Sequence, residues 1–307
     1  MKILVTGSNG QLGYDVLKEL HRRKIPCRGI DREECDITNM PQVMHWVETY
    51  QPDAVIHCAA YTNVNRAETE QTLCMDINYR GSANIAAAAN KTGAKLIYIS
   101  TDYVFGASGE QPLGIYEAKN PLNTYGETKL SGENSTRILC PRSFIVRTSW
   151  VFGINGSNFV KTMLRLGREK EEISVVSDQI GSPTYTADLA PLLCDMAMTE
   201  RFGTYHATNE GYCSWYEFAR EIMRLGHLPA KIHPVATADY PSPAARPLNS
   251  RLSKESLDEA GFPRLPHWKD ALQRYLAVSI RTGNCRRGRG SQGLLSDPPR
   301  CSIPSKR

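Results

Sequence analysis

Three glycines that directly follow a short β-type run near the N-terminus constrain the fold of this chain more than any other feature. Residues 2–6 form the run, and Gly7, Gly10 and Gly13 follow it at the spacing G-x-x-G-x-x-G. Glycines between a strand and a helix permit a tight turn, so that the N–H groups at the helix start face a phosphate. The loop therefore predicts a dinucleotide site. The residues expected to contact its diphosphate are Gly7, Gly10, Gln11, Leu12 and Gly13.

β-type runs alternate with helical patterns through the first half of the chain, as in a parallel sheet that helices cover on both faces. The runs lie at 2–6, 27–31, 53–60, 95–101 and 143–149. The helical patterns between them lie at 11–23, 40–50, 70–92 and 121–139. We therefore predict an α/β fold with a Rossmann-type doubly wound parallel sheet and a smaller α/β substrate-binding lobe.

Domain boundaries are predicted from the loosening of this pattern after residue 150. Helical patterns remain at 157–169, 187–199, 214–225 and 268–278, with short β-type runs near 173–177 and 204–207. The predicted units are a dinucleotide-binding domain at 1–150 with return segments around 173–205, an interleaved substrate-binding lobe at 151–277, and a basic tail at 278–307.

The net charge of +5 belongs to the tail. Of the 37 Lys and Arg and 32 Asp and Glu residues, seven bases and one acid lie in 279–307, which leaves 30 bases and 31 acids elsewhere. The tail is rich in Arg, Gly, Ser and Pro without periodicity, so we predict that it is disordered. We interpret it as a dispensable extension, with a nucleic-acid-binding arm as the alternative.

Composition and cysteine spacing bear on compartment and partners. Apolar stretches are too short to cross a bilayer, and the N-terminal pattern is not that of a secretion signal. The nine cysteines are scattered and never spaced as C-x-x-C, which favours reduced thiols over disulfides or a metal site. We expect a cytoplasmic protein with no membrane or nucleic-acid partner and no bound metal.

The residues after the second and third β-type runs are candidates for the rest of the cofactor site. Asp31 lies eighteen residues after the last glycine, where a carboxylate accepts from a ribose hydroxyl. A carboxylate repels a 2′-phosphate, whereas the adjacent Arg32 could clamp one, so NADH and NADPH both stay open. The residues expected to flank the adenine and the ribose are Asp36, Ile37, Ala59, Ala60 and Tyr61.

A tyrosine and a lysine follow the fourth run at a spacing that suits acid–base chemistry. Tyr125 and Lys129 lie four residues apart in Y-G-E-T-K, so both fall on one face of a helix. A nearby ammonium is expected to lower the pKa of the tyrosine hydroxyl, and it can also hold a nicotinamide ribose. Thr101, at the end of the fourth run, offers a hydroxyl to the same pocket.

Together these features resemble the extended short-chain dehydrogenase/reductases. The shared motifs are T-G-S-N-G-Q-L-G (6–13), S-T-D-Y-V-F (100–105) and P-L-N-T-Y-G-E-T-K (121–129). Within that family, D-I-T (36–38), H-C-A-A-Y-T (57–62), R-T-S-W-V-F-G (147–153) and R-P-L-N-S-R-L (246–252) are most similar to members that reduce dTDP-4-dehydro-L-rhamnose. The resemblance covers about residues 1–277 and does not extend to the tail.

The resemblance implies hydride transfer from NADPH or NADH to C4 of that dTDP-linked deoxysugar, which yields dTDP-L-rhamnose. Tyr125 would protonate the forming alkoxide, Lys129 would tune Tyr125 and hold the cofactor, and Thr101 would bond the reacting oxygen. The residues expected to contact the substrate are Thr101, Asp102, Val104, Trp150 and Arg246. For Arg246, contact with the diphosphate of the sugar nucleotide and a structural ion pair are both open.

Three other functions are weighed against this one. A nucleotide-sugar 4,6-dehydratase carries Asp-Glu after the strand-four threonine, whereas this chain has Asp102-Tyr103. An epimerase needs no further residues and stays open. A non-catalytic regulatory protein similar to the β subunit of methionine adenosyltransferase also stays open, although A-A-Y-T (59–62) and Trp150 favour the reductase.

Oligomeric state is left open, with a homodimer among the options. Bacterial dimers of the resembled reductases can use glutamates around a magnesium ion, but position 15 here is aspartate and no such cluster is identified. For that reason we predict no metal.

Overall fold

The structure, a computed structural model, describes residues 1–281 of the chain. Its strands are β1 (Ile3–Thr6), β2 (Cys27–Ile30), β3 (Ala54–His57), β4 (Lys95–Thr101), β5 (Ser143–Thr148), β6 (Val151–Phe152), β7 (Glu172–Val176), β8 (Ile180–Gly181), β9 (Thr184–Tyr185), β10 (Gly203–His206), β11 (Asn209–Glu210), β12 (Cys213–Ser214), β13 (Lys231–Val235), β14 (Asn249–Ser250) and β15 (Leu265–His267). Its α-helices are α1 (Gln11–Arg22), α2 (Met40–Tyr50), α3 (Val64–Ala67), α4 (Gln71–Met75), α5 (Ser82–Thr92), α6 (Thr124–Leu139), α7 (Phe159–Glu169), α8 (Thr186–Ala197), α9 (Trp215–Gly226), α10 (Glu255–Glu259) and α11 (Trp268–Arg281).

Six parallel strands form the central sheet, in the order β10-β5-β4-β3-β1-β2. β1, β3 and β5 are buried at every residue, as expected for strands with helices on both faces. The strand order reverses at β1, because β2 lies on one side of it and β3 on the other. The carboxyl ends of β1 and β3 therefore border a crevice, which is where ligands bind in doubly wound sheets.

Helices cover both faces of this sheet. α1 and α8 pack together on one face, where the apolar face of α1 contributes Val16 and Leu20 to the core. α2 and α5 cover the other face, where Val43 and Ile85 belong to the apolar core on that side of the sheet. The predicted Rossmann-type architecture is confirmed.

A second apolar core lies outside the central sheet, among α7, α9 and α11. Leu164, Phe218 and Leu272 contribute to it from these three helices, and Phe152 from β6 packs against Phe218. β7 pairs with β13 beside this core, and β8 pairs with β12 and β14. This core belongs to the smaller lobe that the sequence predicted.

The segment that returns to the central sheet is β10. It pairs with β5 from Gly203–Phe144 to His206–Arg147. The predicted return segment began at 173, and this part of the prediction was wrong, because β7 pairs with β13 instead. The buried and exposed residues of β7 alternate, which is typical of a strand with one open face rather than of a central parallel strand.

Several helices differ from the predicted ones in their bounds or continuity. α6 begins at Thr124 rather than at 121, because the Asn123 side chain accepts from Gly126 N and caps the helix. The helix predicted over 70–92 contains a π-type segment, Asp76–Gly81, between α4 and α5. α11 continues to Arg281, past the predicted end at 278.

Predictions for the remainder of the tail fall on residues 282–307, which lie outside the described part. Within residues 1–281, no helix has both the length and the apolar character needed to cross a membrane.

Candidate active site

A cleft of about 1160 Å³ lies at the carboxyl ends of the central strands and reaches the smaller lobe. Its walls come from the glycine loop, from the segments after β2, β3, β4 and β5, and from the first turns of α6 and α9. Most of the predicted site residues line it, namely Gly7, Gly10, Gln11, Leu12, Gly13, Asp31, Arg32, Asp36, Ile37, Ala59, Ala60, Tyr61, Thr101, Asp102, Tyr125, Lys129 and Trp150. Val104 and Arg246 are not among the lining residues.

The glycine loop after β1 leaves no room for side chains at two of its positions. Gly7 has φ +65°, and a Cβ on it would lie 2.6 Å from Ala59 N. A Cβ on Gly13 would lie 2.2 Å from Gly7 O. The loop therefore keeps bare backbone facing the cleft at the start of α1. A diphosphate fits this arrangement, because it needs close backbone approach and free N–H groups.

The Gln11 side chain joins this loop to the smaller lobe. Its Oε1 accepts from Gly153 N at 3.1 Å and from Asn158 Nδ2 at 3.0 Å. Asn155 Nδ2 donates to Asn9 O at 2.6 Å. These bonds hold the segment 153–158 beside the glycine loop, so the Gln11 carboxamide oxygen is already used within the protein and only the rest of Gln11 is available to a ligand.

The carboxylate of Asp31 is fixed by the backbone. It accepts from Asn9 N and from Arg32 N, both at 2.8 Å. Arg32 itself is exposed beside it. Asp36 accepts from Thr38 N and Thr38 Oγ1 at 2.9 and 2.8 Å, which shapes the turn after β2. Asp31, Arg32 and Asp36 all line the cleft in the segment that follows β2.

The segment after β3 is positioned by an asparagine that the sequence analysis missed. Asn78 Oδ1 accepts from Tyr61 N at 2.8 Å, and Asn78 Nδ2 donates to Tyr61 O at 3.1 Å and to Thr128 Oγ1 at 3.1 Å. Asn78 is fully buried in the π-type segment and so links the Ala59–Tyr61 loop to α6. The only signal for it was a polar residue inside an alanine-rich helical pattern.

Tyr125 and Thr101 meet where α6 and β4 approach each other. Burial raises the pKa of the Tyr125 hydroxyl well above its usual value, and hydrogen bonding with the Thr101 hydroxyl offsets part of the rise. The negative charge of Asp102 raises the pKa of Tyr125 further. Tyr125 is therefore protonated at neutral pH and can act as a proton donor.

Lys129 lies one turn further along α6 and is almost completely buried. Its Nζ donates to Ile99 O at 2.7 Å and lies 4.2 Å from the centroid of the Tyr98 ring. Burial lowers the pKa of Lys129 to about 7, and the charge of Glu133 opposes this change. The expected lowering of the pKa of Tyr125 by this ammonium is not observed, because burial of the tyrosine has the larger effect.

A buried ion pair joins α6 to the central sheet beside the cleft. Arg147 of β5 donates from Nε and from a terminal nitrogen to the two oxygens of Glu133, each at 2.8 Å, and both side chains have no exposed area. Ser100 Oγ also donates to Glu133, at 2.6 Å. Burial alone would raise the pKa of Glu133, but the Arg147 guanidinium holds it below its usual value. The pair ties α6 to β4 and β5.

Asp102, directly after Thr101, is a buried carboxyl at the cleft wall. It is 3% exposed, and its Oδ1 accepts from Thr101 Oγ1 at 3.0 Å. Its buried Oδ2 has no hydrogen-bond partner among residues 1–281. Burial raises the pKa of Asp102 to about 6, and the nearby Ser250 hydroxyl offsets part of the rise.

Two stacked tryptophans form the wall on the side of the smaller lobe. Trp150 and Trp215 both line the cleft, and their ring centroids are 3.8 Å apart. Trp150 has φ +49°, a left-handed conformation that is uncommon for a bulky residue. The sequence analysis identified Trp150 and missed Trp215, because an aromatic residue in the first turn of a helix does not by itself indicate a site.

Val104 lies in the protein interior rather than in the cleft. It has no exposed area and packs with Phe105, Leu113 and Leu252 in a small apolar cluster. Its prediction as a substrate contact was wrong, because the 3₁₀ turn at Asp102–Val104 directs the valine toward this cluster.

Arg246 lies beside the cleft wall. Its guanidinium donates to Asn65 Oδ1 at 2.9 Å and to Ala244 O at 3.1 Å, and it hydrogen bonds to Tyr103, which does line the cleft. These partners are neutral, so they do not constitute the structural ion pair that was the alternative for this residue.

Nearly the whole described chain matches one protein family. Residues 1–280 match the family model described as RmlD substrate binding domain. The chain is 42% identical over 275 residues to the spore coat polysaccharide biosynthesis protein SpsK of Bacillus subtilis (strain 168). This match covers 90% of this chain and 96% of that protein.

Two crystal structures of proteins named dTDP-4-dehydrorhamnose reductase have the same fold. The structure from Clostridium acetobutylicum has a TM-score of 0.89 and 41% identity, and the match covers 91% of this chain and all of that one. The structure from Bacillus anthracis str. Ames, in complex with NADP, has a TM-score of 0.88 and 44% identity, with coverage of 90% and 99%.

Proposed function

The chain belongs to the RmlD substrate binding domain family, and on this basis we propose that it reduces the C4 ketone of dTDP-4-dehydro-L-rhamnose to give dTDP-L-rhamnose. The hydride donor is NADPH or NADH. One structural observation carries the proposal: a glycine loop that fits a diphosphate and the Thr101–Tyr125–Lys129 group line the same cleft. A dinucleotide that extends from the loop along this cleft would bring its reactive end near that group.

Tyr125 is the proposed proton donor to the ketone oxygen. Its raised pKa keeps the hydroxyl protonated until the substrate oxygen gains negative charge. The nicotinamide, when bound, supplies the hydride for the ketone carbon. Thr101, which shares its hydrogen bonding with Tyr125, would bond the same substrate oxygen. General acid catalysis of this kind typically contributes ~10²–10⁴-fold to the rate.

Lys129 is proposed to hold the nicotinamide ribose and to support Tyr125 after proton transfer. Its pKa of about 7 reflects burial, so a partner that supplies negative charge or acceptor oxygens would favour the charged ammonium. A phenolate on Tyr125 would be such a partner. In this proposal Lys129 therefore stabilises the Tyr125 phenolate after the proton transfer and does not lower the pKa of Tyr125 in the resting state.

Asp102 and Trp150 are the proposed contacts to the sugar. Asp102 belongs to the cleft wall next to Thr101, where its carboxyl would accept from a sugar hydroxyl. Trp150 offers a flat apolar face that suits the methyl group of a deoxysugar. Arg246 remains a candidate for the diphosphate of the sugar nucleotide, because it reaches the cleft wall through Tyr103 and its hydrogen-bond partners are neutral.

The remaining cofactor contacts are assigned from the ends of the central strands. Asp31 would accept from the adenosine ribose, and the exposed Arg32 would pair with a 2′-phosphate where one is present. The other residues proposed to hold the cofactor are Gly7, Gly10, Gln11, Leu12, Gly13, Asp36, Ile37, Ala59, Ala60 and Tyr61. The dTDP-linked sugar is the small-molecule partner.

We also propose a cytoplasmic location. The seven cysteines of the described part are all free thiols, which suits a reducing compartment. The tail at 278–307 has no assigned role in the reaction, and a homodimer stays an untested prediction.

An isotope experiment tests the reaction directly. Cofactor that carries deuterium in the transferred position should deliver it to C4 of the sugar, where mass spectrometry and NMR of the product locate it. Product without deuterium at C4 would contradict the proposal. Tight cofactor binding without any product would favour the non-catalytic alternative.

A further inference from the structure

Reduction of a ketone consumes one proton with each hydride, so the Tyr125 hydroxyl must recover its proton after every turnover. Thr101 provides the neighbouring hydroxyl, because its hydrogen bonding acts on the pKa of Tyr125. Thr101 Oγ1 also lies 3.0 Å from Asp102 Oδ1. The three side chains form a continuous line of oxygens from the proposed acid to a buried carboxyl.

We propose that Asp102 is the proton source of this site and that it reprotonates Tyr125 through the Thr101 hydroxyl. The inference rests on the proposed function and extends it, because it gives Asp102 a second task beside its contact with the sugar. It stands on the hydrogen bond from Thr101 to Asp102, on the burial of Asp102 and on the position of Thr101, Asp102 and Tyr125 in the wall of one cleft.

The Thr101 hydroxyl has one proton, so it can donate to only one of its two neighbours at a time. When Asp102 is ionised, Thr101 donates to Asp102 Oδ1 and cannot at the same time donate to Tyr125. When Asp102 carries a proton on Oδ1, it donates to Thr101, and Thr101 is free to donate to the Tyr125 oxygen. Thr101 therefore donates to a phenolate at Tyr125 only when Asp102 is protonated.

Each transfer in the line breaks one O–H bond and forms another. Tyr125 gives its proton to the substrate oxygen as the ketone carbon gains the hydride. Thr101 passes its proton to the Tyr125 phenolate while it receives the proton of Asp102 Oδ1. The Asp102 carboxylate, which belongs to the cleft wall, then takes a proton from water that enters the cleft after product release, and rotation of the carboxyl about its Cβ–Cγ bond brings this proton to the oxygen that faces Thr101. Every group except Asp102 is restored before this last step.

The surroundings of Asp102 move its titration toward neutral pH. Burial raises the pKa of Asp102 to about 6. The titratable groups near it are Tyr125 from α6 and Tyr103 from its own segment, and the Arg246 guanidinium lies behind Tyr103. β14 contributes the neutral Ser250 hydroxyl.

The first experiment is the pH profile of kcat for the wild type, Asp102→Asn and Ser250→Ala. Wild-type kcat should fall as pH rises through the titration of Asp102. Asp102→Asn keeps the shape of the side chain, so it should lower kcat by about 10²-fold and remove this dependence, whatever its effect on KM. Ser250→Ala should keep the dependence and move it to higher pH, because the hydroxyl that lowers the pKa of Asp102 is lost.

A variant of Thr101 tests whether the proton passes from Asp102 to Tyr125 through this residue. Thr101→Val should lower kcat, and Asp102→Asn should cause little further loss in that background, because both changes break the same line. Additive losses would overturn the inference. So would an Asp102→Asn variant that keeps the wild-type pH profile and only raises KM, since this result would leave Asp102 as a sugar contact alone.

Infrared difference spectroscopy separates this inference from the proposed function. The wild-type spectrum minus that of Asp102→Asn should contain a protonated carboxyl band that disappears as pH rises through about 6. This measurement needs no turnover, so it decides the inference even if the sugar nucleotide is not reduced. A carboxyl that stays ionised down to pH values where exposed carboxylates titrate would overturn it.

Discussion

The indole rings of Trp150 and Trp215 stack with their centroids 3.8 Å apart and their planes inclined by 15°. Trp150 adopts φ +49°, a conformation that costs free energy in a bulky residue and persists only where the surroundings hold it. Gly181 leaves room for the ring, because a Cβ there would lie 2.9 Å from Trp150 Cε2. Trp215 therefore supports Trp150 as part of the cleft wall.

Trp215→Ala should weaken sugar binding and leave the chemical step nearly intact. Loss of a stacked aromatic pair removes about 0.5–1.5 kcal/mol, so KM should rise by up to about tenfold with little change in kcat. Circular dichroism supplies a structural readout, because the coupled signal of two stacked indoles should disappear. Trp46→Phe is the control, since Trp46 packs against the opposite side of the central sheet and should leave that signal unchanged.

Tyr125→Phe should reduce turnover by at least ~10²-fold, because the general acid is lost while the ring remains. Cofactor affinity should stay within a few-fold of wild type, as measured by fluorescence titration. Unchanged turnover would remove Tyr125 from the mechanism.

Lys129→Met should change how stability depends on pH. The pKa of Lys129 is about 7 in the folded chain against 10.5 as the ordinary value, so the unfolded chain binds more protons between these limits. The free energy of unfolding that Lys129 contributes therefore rises with pH across this window.

Denaturant unfolding of the wild type and Lys129→Met at several pH values measures this effect. The wild type should gain stability relative to the variant as pH increases from about 7. A difference that stays constant with pH would show that the lysine is not held in a dry environment.

Glu133→Gln should destabilise the fold by about 3–5 kcal/mol, because it leaves the fully buried Arg147 without its counter-charge. Glu127→Gln, at an exposed position of the same helix, should stay within about 0.5 kcal/mol of wild type. Thermal or denaturant unfolding checks both. If Glu133→Gln lowered the stability as little as Glu127→Gln, the Glu133–Arg147 ion pair would not be what ties α6 to the sheet.

The elements that sequence patterns predicted well are those in which local and tertiary preferences agree. β4 was predicted at its observed bounds, 95–101, because its apolar run suits a buried parallel strand and comes shortly after the polar segment at 90–93. α2 was likewise predicted at Met40–Tyr50. The glycine loop was identified because its backbone geometry excludes side chains, and that exclusion is visible in the residue types themselves.

The features that were missed depend on contacts between distant segments. β7 was assigned to the return of the central sheet because nothing in its sequence indicates pairing with β13. Val104 was predicted to contact the substrate, but it packs with Leu113 and Leu252, which are distant in sequence. The pKa of Tyr125 was misjudged because burial, which a sequence does not display, outweighs the nearby ammonium.

The central claim is tested most directly by the absorbance of the reduced nicotinamide during incubation with enzymatically generated dTDP-4-dehydro-L-rhamnose. The absorbance should decay with NADPH or NADH only when protein and sugar nucleotide are both present, and the relative rates establish the cofactor preference. The absence of decay with either cofactor, while both bind tightly, would contradict the reductase and favour a regulatory protein or a different sugar.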